Sequence, residues 1–247
     1  VGRTRLDAAL VERGLFPSRS RAQAAVMAGL VRVDGTVAPK PGTAVAEDAD
    51  LRVEGGAEHV SRGGRKLANA LEAFGLDVAG ARALDVGAST GGFTDCLLQA
   101  GAASVIALDV GYGQLDWSLR NDPRVHVMER VNARAIAPAD LPYAPDLVTV
   151  DVSFISVATV WPAVAATLAP GWRALVLVKP QFEVGREAVG KGGVVRDPAL
   201  REAAVESVAR ALAAAGGRVL GAADSDLPGP KGNREVFLHA IDGTAAA

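Results

Sequence analysis

The sequence predicts an α/β protein: a two-sided, mostly parallel sheet flanked by helices, preceded by a small basic module. Three observations predict it. Apolar runs of strand length recur at 83–86, 104–108, 125–128, 147–152 and 174–178, alternating with helical spacing, the pattern of strands buried on both faces. Charge is uneven: residues 1–41 carry seven basic side chains (Arg3, Arg5, Arg13, Arg19, Arg21, Arg32 and Lys40) against Asp7, Glu12 and Asp34. Residues 42–58 reverse the balance, with Glu47, Asp48, Asp50, Glu54 and Glu58 against Arg52, and Gly55-Gly56 then forms a natural hinge. Finally, 247 residues that are 49% hydrophobic and 22% charged give room for a small domain joined to a medium one.

In the basic module, Leu6, Ala9, Leu10 and Arg13 follow helical spacing, and Gly14 is a fitting stop. Ser18 is an N-cap for a second helix with Ala22, Ala25 and Val26 on one face, ending near Gly29. Residues 30–33 and 36–37 flank Asp34-Gly35, a two-residue hairpin signal. Two short helices and a hairpin, with arginines on the second helix, suit an RNA-binding face; a solvated charged helix would carry the same charges. In the larger domain the first strand leads into a helix at 93–100. Residues 153–172 supply a loop and a core helix carrying Val157, Val160, Val164 and Leu168. Asp197-Pro198 opens a long Ala-rich helix that stops at Gly216-Gly217, and 219–220 and 236–238 give the last strands.

Several classes are excluded. Lys+Arg 26 against Asp+Glu 28 leaves a formal charge of −2, so a nucleic-acid partner must be met by a local patch. Cys96 is the single cysteine, which rules out an intrachain disulfide and a multi-cysteine zinc site. With His59, His126 and His239 scattered, no metal is expected. Cys96 reads as a small buried hydrophobe and His126 as structural, and His59 is given no role. Residues 1–7 show no apolar stretch after their charges, so no secretory signal is expected and a reducing cytoplasm is the expected compartment. Residues 152–172 lack charge and are long enough to span a bilayer. Pro162, Pro170 and the polar Ser153, Ser156, Thr159 and Thr167 break that run, so no stable membrane association is expected.

Two constellations carry chemistry. In Asp85-Val86-Gly87-Ala88-Ser89-Thr90-Gly91-Gly92-Phe93, a strand ends in a glycine-rich turn that opens a helix, letting a ligand approach bare backbone at a helix N-terminus. A tight strand-to-helix turn would look the same. Asp109 ends the next strand, 24 positions after Asp85, where an acid is suited to bind the two hydroxyls of a ribose. Together they predict an adenosine-containing cofactor. The turn is neither a strict Gly-x-Gly-x-x-Gly dinucleotide fingerprint nor a P-loop, because no Lys-Ser/Thr pair follows the glycines. The second constellation is Lys66, Asp151, Lys179 and Glu235. Asp151 and Lys179 each end an apolar strand, the edge where open α/β sheets hold ligands, and Pro180 keeps Lys179 extended. Charges at the mouth of a buried strand must pair, and simple salt bridges would satisfy that demand too. Residues 185–193, glycine-rich with Arg186 and Lys191, form either a mobile lid over RNA phosphates or a surface loop.

Longer blocks accompany these motifs: Asp109-Val110-Gly111-Tyr112-Gly113-Gln114-Leu115, Ser118-Leu119-Arg120-Asn121-Asp122-Pro123-Arg124-Val125, Asp151-Val152-Ser153-Phe154-Ile155-Ser156 and Lys179-Pro180-Gln181-Phe182-Glu183-Val184-Gly185. Over nearly its whole length the chain resembles the TlyA family of rRNA 2′-O-methyltransferases, whose members often carry the name hemolysin. The resemblance implies a Rossmann-like class I methyltransferase domain similar to FtsJ at 61–247. It also implies a small α+β RNA-binding domain of αL type at 1–56, joined by a linker at 57–60. It implies a Lys-Asp-Lys-Glu tetrad on Lys66, Asp151, Lys179 and Glu235, and S-adenosylmethionine as cofactor. Asp85, Gly87, Ala88, Ser89, Gly91, Gly92, Phe93, Val110 and Asp151 would surround that cofactor, with Asp109 on its ribose and Asn132 on its adenine. Arg3, Arg5, Arg19, Arg21, Arg32, Lys40, Arg62 and Arg65 would meet RNA. One departure stands out: where some members have Arg-x-Trp-Val, this chain has Ala57-Glu58-His59-Val60.

The residue types fit methyl transfer. A ribose 2′-hydroxyl is a poor nucleophile until it loses its proton, and a lysine beside another cation can take that proton near neutral pH. Asp151 and Glu235 would orient the two ammonium groups, and no metal or covalent intermediate is required. The expected function is thus methylation of cytidine in 16S rRNA, 23S rRNA or both. The alternatives from other classes are a membrane-acting hemolysin and a non-catalytic RNA-binding ribosome-assembly protein.

Overall fold

The structure, a computed structural model, describes residues 2–16, 18–27, 29–53, 59–190, 192–229 and 231–244, with backbone alone at 24 and 186. It divides into two compact units, Val1–Glu58 and His59–Ala247. The glycine hinge at 55–56, Ala57 and Glu58 of the linker, and Lys191 lie outside the described residues. His59 and Val60 belong to the second unit.

In the first unit, β1 (Arg3–Arg5) runs into α1 (Leu6–Glu12). Then come α2 (Arg19–Met27), β2 (Val31–Val33), β3 (Thr36–Val37), β4 (Ala44–Ala46) and β5 (Leu51–Val53). β1 pairs antiparallel with β4, and β3-β2-β5 forms a second small antiparallel sheet. Leu6 and Leu10 of α1 close a core with Ala22 and Val26 of α2, over Val31 and Val45. Gly14 stops α1 at φ 72, and Asp34 and Gly35 turn the hairpin at φ 48 and 80, the positive pair that a two-residue turn requires. Ser18 caps α2 only weakly, its Oγ accepting from Arg21 N at 3.4 Å.

The second unit opens with α3 (Arg62–Phe74), which the sequence does not announce. Gly63 and Gly64 in its first turn depress helix propensity. Their use is close packing: a Cβ on Gly64 would stand 2.8 Å from Gly92 O, and one on Gly92 would stand 2.8 Å from Gly64 N. Then follow β6 (Arg82–Val86), α4 (Gly92–Gln99), β7 (Ser104–Asp109), α5 (Trp117–Arg120), β8 (Val125–Glu129), β9 (Leu147–Val150) and α6 (Val157–Ala165). The chain continues with β10 (Arg173–Val178), α7 (Pro180–Glu183), α8 (Pro198–Ala214), β11 (Gly217–Asp224) and β12 (Val236–Asp242). Among the described residues these strands build a seven-stranded sheet, in the order β11-β12-β10-β9-β6-β7-β8. The pairs from β10 through β8 are parallel, and β12 runs antiparallel to both its neighbours. α6 and α8 cover one face through Val160, Trp161, Val164, Val208 and Leu212, and α3 and α4 cover the other through Leu67, Ala70, Phe93 and Leu97. Asp197 caps α8 by accepting from Ala199 N at 2.9 Å, with Pro198 following, as the sequence predicts. The core helix of 153–172 ends at Ala165, so Leu168 lies beyond it, packed from the following turn. Cys96 is buried among apolar side chains, whereas His126 is exposed and packs edge-on against Tyr143.

Candidate active site

Parallel strands bring their carboxyl ends to one edge of the sheet, so the loops after β6, β7, β9 and β10 gather there. Because β12 is antiparallel, it begins at that same edge. Its register pairs Val178 with Val236, which sets Lys179 and Glu235, each one residue further out, beside one another. Lys66 reaches the edge from α3, whose start rests on the start of α4 through the glycine contacts.

Two cavities open along this edge. One, of about 590 Å³, is lined by Lys66, Asp151, Lys179 and Glu235 together with Arg62, Gly87, Ala88, Ser89, Gly92, Phe93 and Gln181. The other, of about 530 Å³, is lined by Asp109, Val110, Gly111, Asn132 and Ile155. Gly87, Ser89, Asp151, Ser153 and Phe154 belong to both, so they form the shared wall of one cleft.

The four charged residues form two ion pairs. Lys66 Nζ stands 2.5 Å from Glu235 Oε2, with Glu235 only 1% exposed. Lys179 Nζ stands 2.6 Å from Asp151 Oδ1 and donates to Ser153 Oγ at 2.9 Å. Such buried charges are tolerated only when paired, and each pair fixes its ammonium group. Lys179 itself is extended at φ −111, ψ 99, and caps α7 with Pro180 in its first turn, where a missing N–H costs nothing. Glu183 in turn accepts from Ser156 Oγ at 2.5 Å and Val157 N at 2.8 Å, tying α7 to the start of α6. Burial pushes its carboxyl above the ordinary value, against the lowering effect of those bonds.

The cleft fits an adenosine-bearing cofactor with a polar tail. Gly87 has φ 87, and a Cβ there would stand 2.7 Å from Asp151 O, so only bare backbone suits this wall. Asp109 is held ready: Oδ2 accepts from Ser89 N at 2.8 Å and Oδ1 from Gly111 N at 2.6 Å, leaving lone pairs for ribose hydroxyls. Gln181 Oε1, on the wall of the larger cavity, is buried without a hydrogen-bond partner, an acceptor that a cationic tail would satisfy. Asn132 is exposed on the second cavity, its Oδ1 accepting from Arg134 N at 3.1 Å.

Two of the sequence-assigned cofactor residues are not brought to the cleft. Asp85 has no exposed surface; its carboxylate accepts from Thr94 Oγ1 at 2.7 Å and Thr149 Oγ1 at 3.0 Å and lines neither cavity. It props the loop from beneath instead of touching a ligand. Gly91, at φ 93, makes room for Leu119 and Leu115, whose Cδ1 atoms would lie 2.3 and 2.8 Å from its Cβ. Of the basic set, Arg62 lines the larger cavity and Arg65 is exposed outside it. In the first unit Arg3 and Arg21 are exposed, Arg32 donates to Gly35 O at 3.0 Å, and Arg5 and Lys40 line a separate cavity. Arg19 pairs with Asp7 at 3.2 Å.

Sequence reasoning missed three neighbours of the site. Ser153 supports Lys179. Phe154 is 92% exposed, holds φ 66 and packs on Phe182 with ring centroids 5.2 Å apart. A positive φ is a genuine outlier for an aromatic residue, and strain of this kind gathers at functional sites. Asn233, 2% exposed, donates to Gly193 O at 2.8 Å and accepts from Val195 N at 2.9 Å, anchoring the glycine-rich loop beside the larger cavity. The interruption of an apolar run at 153–156 was the available signal for the first two.

Comparison with known proteins agrees with this geometry. The FtsJ-like methyltransferase family model matches residues 59–241, and the S4 domain model matches residues 4–51. The 16S/23S rRNA (cytidine-2'-O)-methyltransferase TlyA of Mycobacterium tuberculosis is 55% identical over 238 residues, covering 96% of this chain and 89% of that protein. A solved hemolysin-named protein from Streptococcus thermophilus is 41% identical with a TM-score of 0.74, covering 98% of this chain and 90% of that one. An S-adenosylmethionine-dependent methyltransferase from Listeria monocytogenes, 16% identical with a TM-score of 0.54, covers 72% of this chain and 98% of its own and shares the fold. Among the described residues, no helix is long and apolar enough to cross a membrane.

Proposed function

The chain belongs to the FtsJ-like methyltransferase family, in its S4-bearing TlyA group, and from that premise we infer that it methylates the ribose 2′-hydroxyl of cytidine in rRNA, drawing the methyl from S-adenosylmethionine. One observation carries the reading: two lysine–carboxylate pairs stand in a cavity that shares a wall with the one holding Asp109. When bound, S-adenosylmethionine supplies a methyl already activated by its sulfonium, so the protein's task is positioning and removal of one proton. Asp109 holds the cofactor ribose and Asn132 the adenine, over the bare backbone of Gly87.

For the transfer Lys179 acts as the uncharged amine, its ammonium proton having first passed to solvent. Nζ then accepts the proton that the substrate 2′-hydroxyl releases as its oxygen gains the methyl, which restores the ammonium of the ion pair with Asp151. Asp151 and Ser153 fix the direction of that Nζ, and Asp151 stabilises the charge it acquires. The Lys66–Glu235 pair, on the α3 side of the same cavity, orients the substrate ribose. Exposed Phe154, backed by Phe182, offers a π-face at the mouth on which the target nucleobase stacks. The basic first unit contributes salt-dependent affinity for rRNA phosphates. An rRNA substrate supports a cytoplasmic site of action. Incubating purified protein with rRNA and S-adenosylmethionine, then mapping 2′-O-methyl groups, tests the reading; no new methylated cytidine in either 16S or 23S rRNA would overturn it.

A further inference from the structure

The first unit carries a buried carboxylate that methyl transfer does not use. Asp7 has no exposed surface, yet it is the centre of a dense set of donors. Arg5 reaches it with Nε at 3.1 Å and Nη2 at 2.9 Å, one on each oxygen. Arg19 Nη2 bridges both oxygens at 3.2 and 3.3 Å, and Gln23 Nε2 donates at 2.7 Å. A carboxylate has about four acceptor sites, so this one is filled. The bonds from Arg5 above all, then those from Gln23 and Arg19, hold its carboxyl far below the usual carboxylate range, so it is an anion at any working pH.

Its partners face the other way. The Arg5 and Arg19 side chains are each 55% exposed, so each commits part of its fork to Asp7 and leaves N–H groups toward solvent. Arg5 Nη1 also lies 3.0 Å from where a Cβ on Gly42 would stand, so the guanidinium rests close over that backbone. Arg5, Gln23, Lys40, Gly42 and Thr43 line one cavity of about 530 Å³. A free surface arginine loses rotamer entropy when it grips a phosphate, whereas one already held at two nitrogens loses less.

We propose that Asp7 is a positioning residue for RNA: a buried anion that fixes the fork of Arg5 at two nitrogens, beside Lys40, and tethers Arg19 at one, so that this face presents a preformed site for backbone phosphates. The proposal rests on the reading of the first unit as RNA-binding. It also sets geometry against charge, because an acid among phosphate contacts repels the ligand at long range and helps only by holding its donors in place.

That opposition makes the test decisive. Full-length protein is titrated with rRNA at several salt concentrations. Asp7→Asn removes a negative charge at nearly constant shape, so charge alone predicts tighter binding. Positioning predicts the reverse: affinity lower by about tenfold, a salt slope shallower by about one, and unchanged S-adenosylmethionine binding. Arg5→Lys keeps the charge but not the fork; it should weaken binding similarly, and combining it with Asp7→Asn should add little. Equal or tighter binding by Asp7→Asn overturns the proposal, and so does wild-type binding by Arg5→Lys should Asp7→Asn fail to fold. The Arg5→Ala/Lys40→Ala double variant separates the two levels. Wild-type binding there removes the RNA-binding reading of this face altogether; weakened binding there, with none in Asp7→Asn, removes only the role of Asp7.

Discussion

Asp85→Asn should change how the stability of the protein responds to pH, and the size of the change follows from the geometry beneath the glycine loop. Asp85 is fully buried, with two threonine hydroxyls as its hydrogen-bond donors and no cation against it. Desolvation is the leading cause that raises its carboxyl from 3.8 to about 7; the threonine bonds pull the other way, and the nearby Asp151 charge adds to the rise. An acid whose proton is held more tightly in the folded chain favours folding fully below the unfolded value and loses that advantage as pH rises through the folded one. The window therefore runs from about pH 4 to about pH 7. A shift of about three units is worth about 4 kcal/mol, an upper figure because local relaxation and water entry soften it. Asparagine keeps the shape and never ionises. Urea unfolding of both proteins across this window should show wild type losing stability relative to Asp85→Asn, by at most about 4 kcal/mol between its acid and alkaline ends. Curves that stay parallel would mean that Asp85 is ionised and solvated in the folded chain, and the account of a neutral prop would be wrong.

Four further outcomes are expected. Lys179→Arg keeps the charge but cannot release its proton in the working range, so single-turnover methylation with saturating rRNA and cofactor should be abolished; a rate within about tenfold of wild type, roughly 1.4 kcal/mol in barrier, would leave Lys179 only an orienting cation. Asp109→Ala should weaken S-adenosylmethionine binding by about 1–3 kcal/mol in a calorimetric titration, and unchanged affinity would remove it as the ribose acid. Phe154→Ala removes an exposed ring that supports no core, so thermal stability should hold or rise while single-turnover methylation falls by about tenfold; an unchanged rate would count against base stacking. The fragment His59–Ala247, which retains both sheet faces, should fold and bind cofactor but lose most productive rRNA binding at physiological salt; methylation equal to that of the full chain would refute a recognition role for the first unit.

What could be read from the sequence divides along a physical line. The central strands were legible because both their faces are buried, which forces unbroken apolar runs such as Ala174 to Val178. The helix α8 was legible because Asp197, Pro198 and Gly216 write its ends into the chain. The strands β1, β4 and β5 were not, since each has three residues, too few for any alternation to register, and none borders a two-residue turn signal like the Asp34-Gly35 that announced the equally short β2. The helix α3 was hidden by its own glycines, which serve its contact with α4 and not its propensity. The Lys66–Glu235 pair spans 169 positions, and no local period records a contact of that separation; a family resemblance reached it, and residue spacing could not.

Asp85 and Asp109 show how narrow the margin is. Both are acids at the end of a parallel strand beside the glycine loop, and nothing in residue type separates them. Position does. Asp109 is the last residue of β7, past the end of its ladder with β6 though still in register with Glu129 of β8, and the loop amides of Ser89 and Gly111 turn toward its carboxylate. Asp85 stops one residue short of the end of β6, and Val86 continues the strand to its parallel partner Val150. That single residue keeps its side chain within the sheet face, against Thr94 of α4 and Thr149 of β9. With two threonine hydroxyls and no cation against it among the described residues, burial raises the Asp85 carboxyl to about 7, so it holds its proton through mildly acid pH, whereas Asp109 keeps lone pairs toward the cleft. Asp85 pairs with Ala107, so in register Asp109 lies two positions further along, and the acid beneath the glycine loop and the acid inside it are divided by that offset, which the pattern of apolar residues alone does not carry.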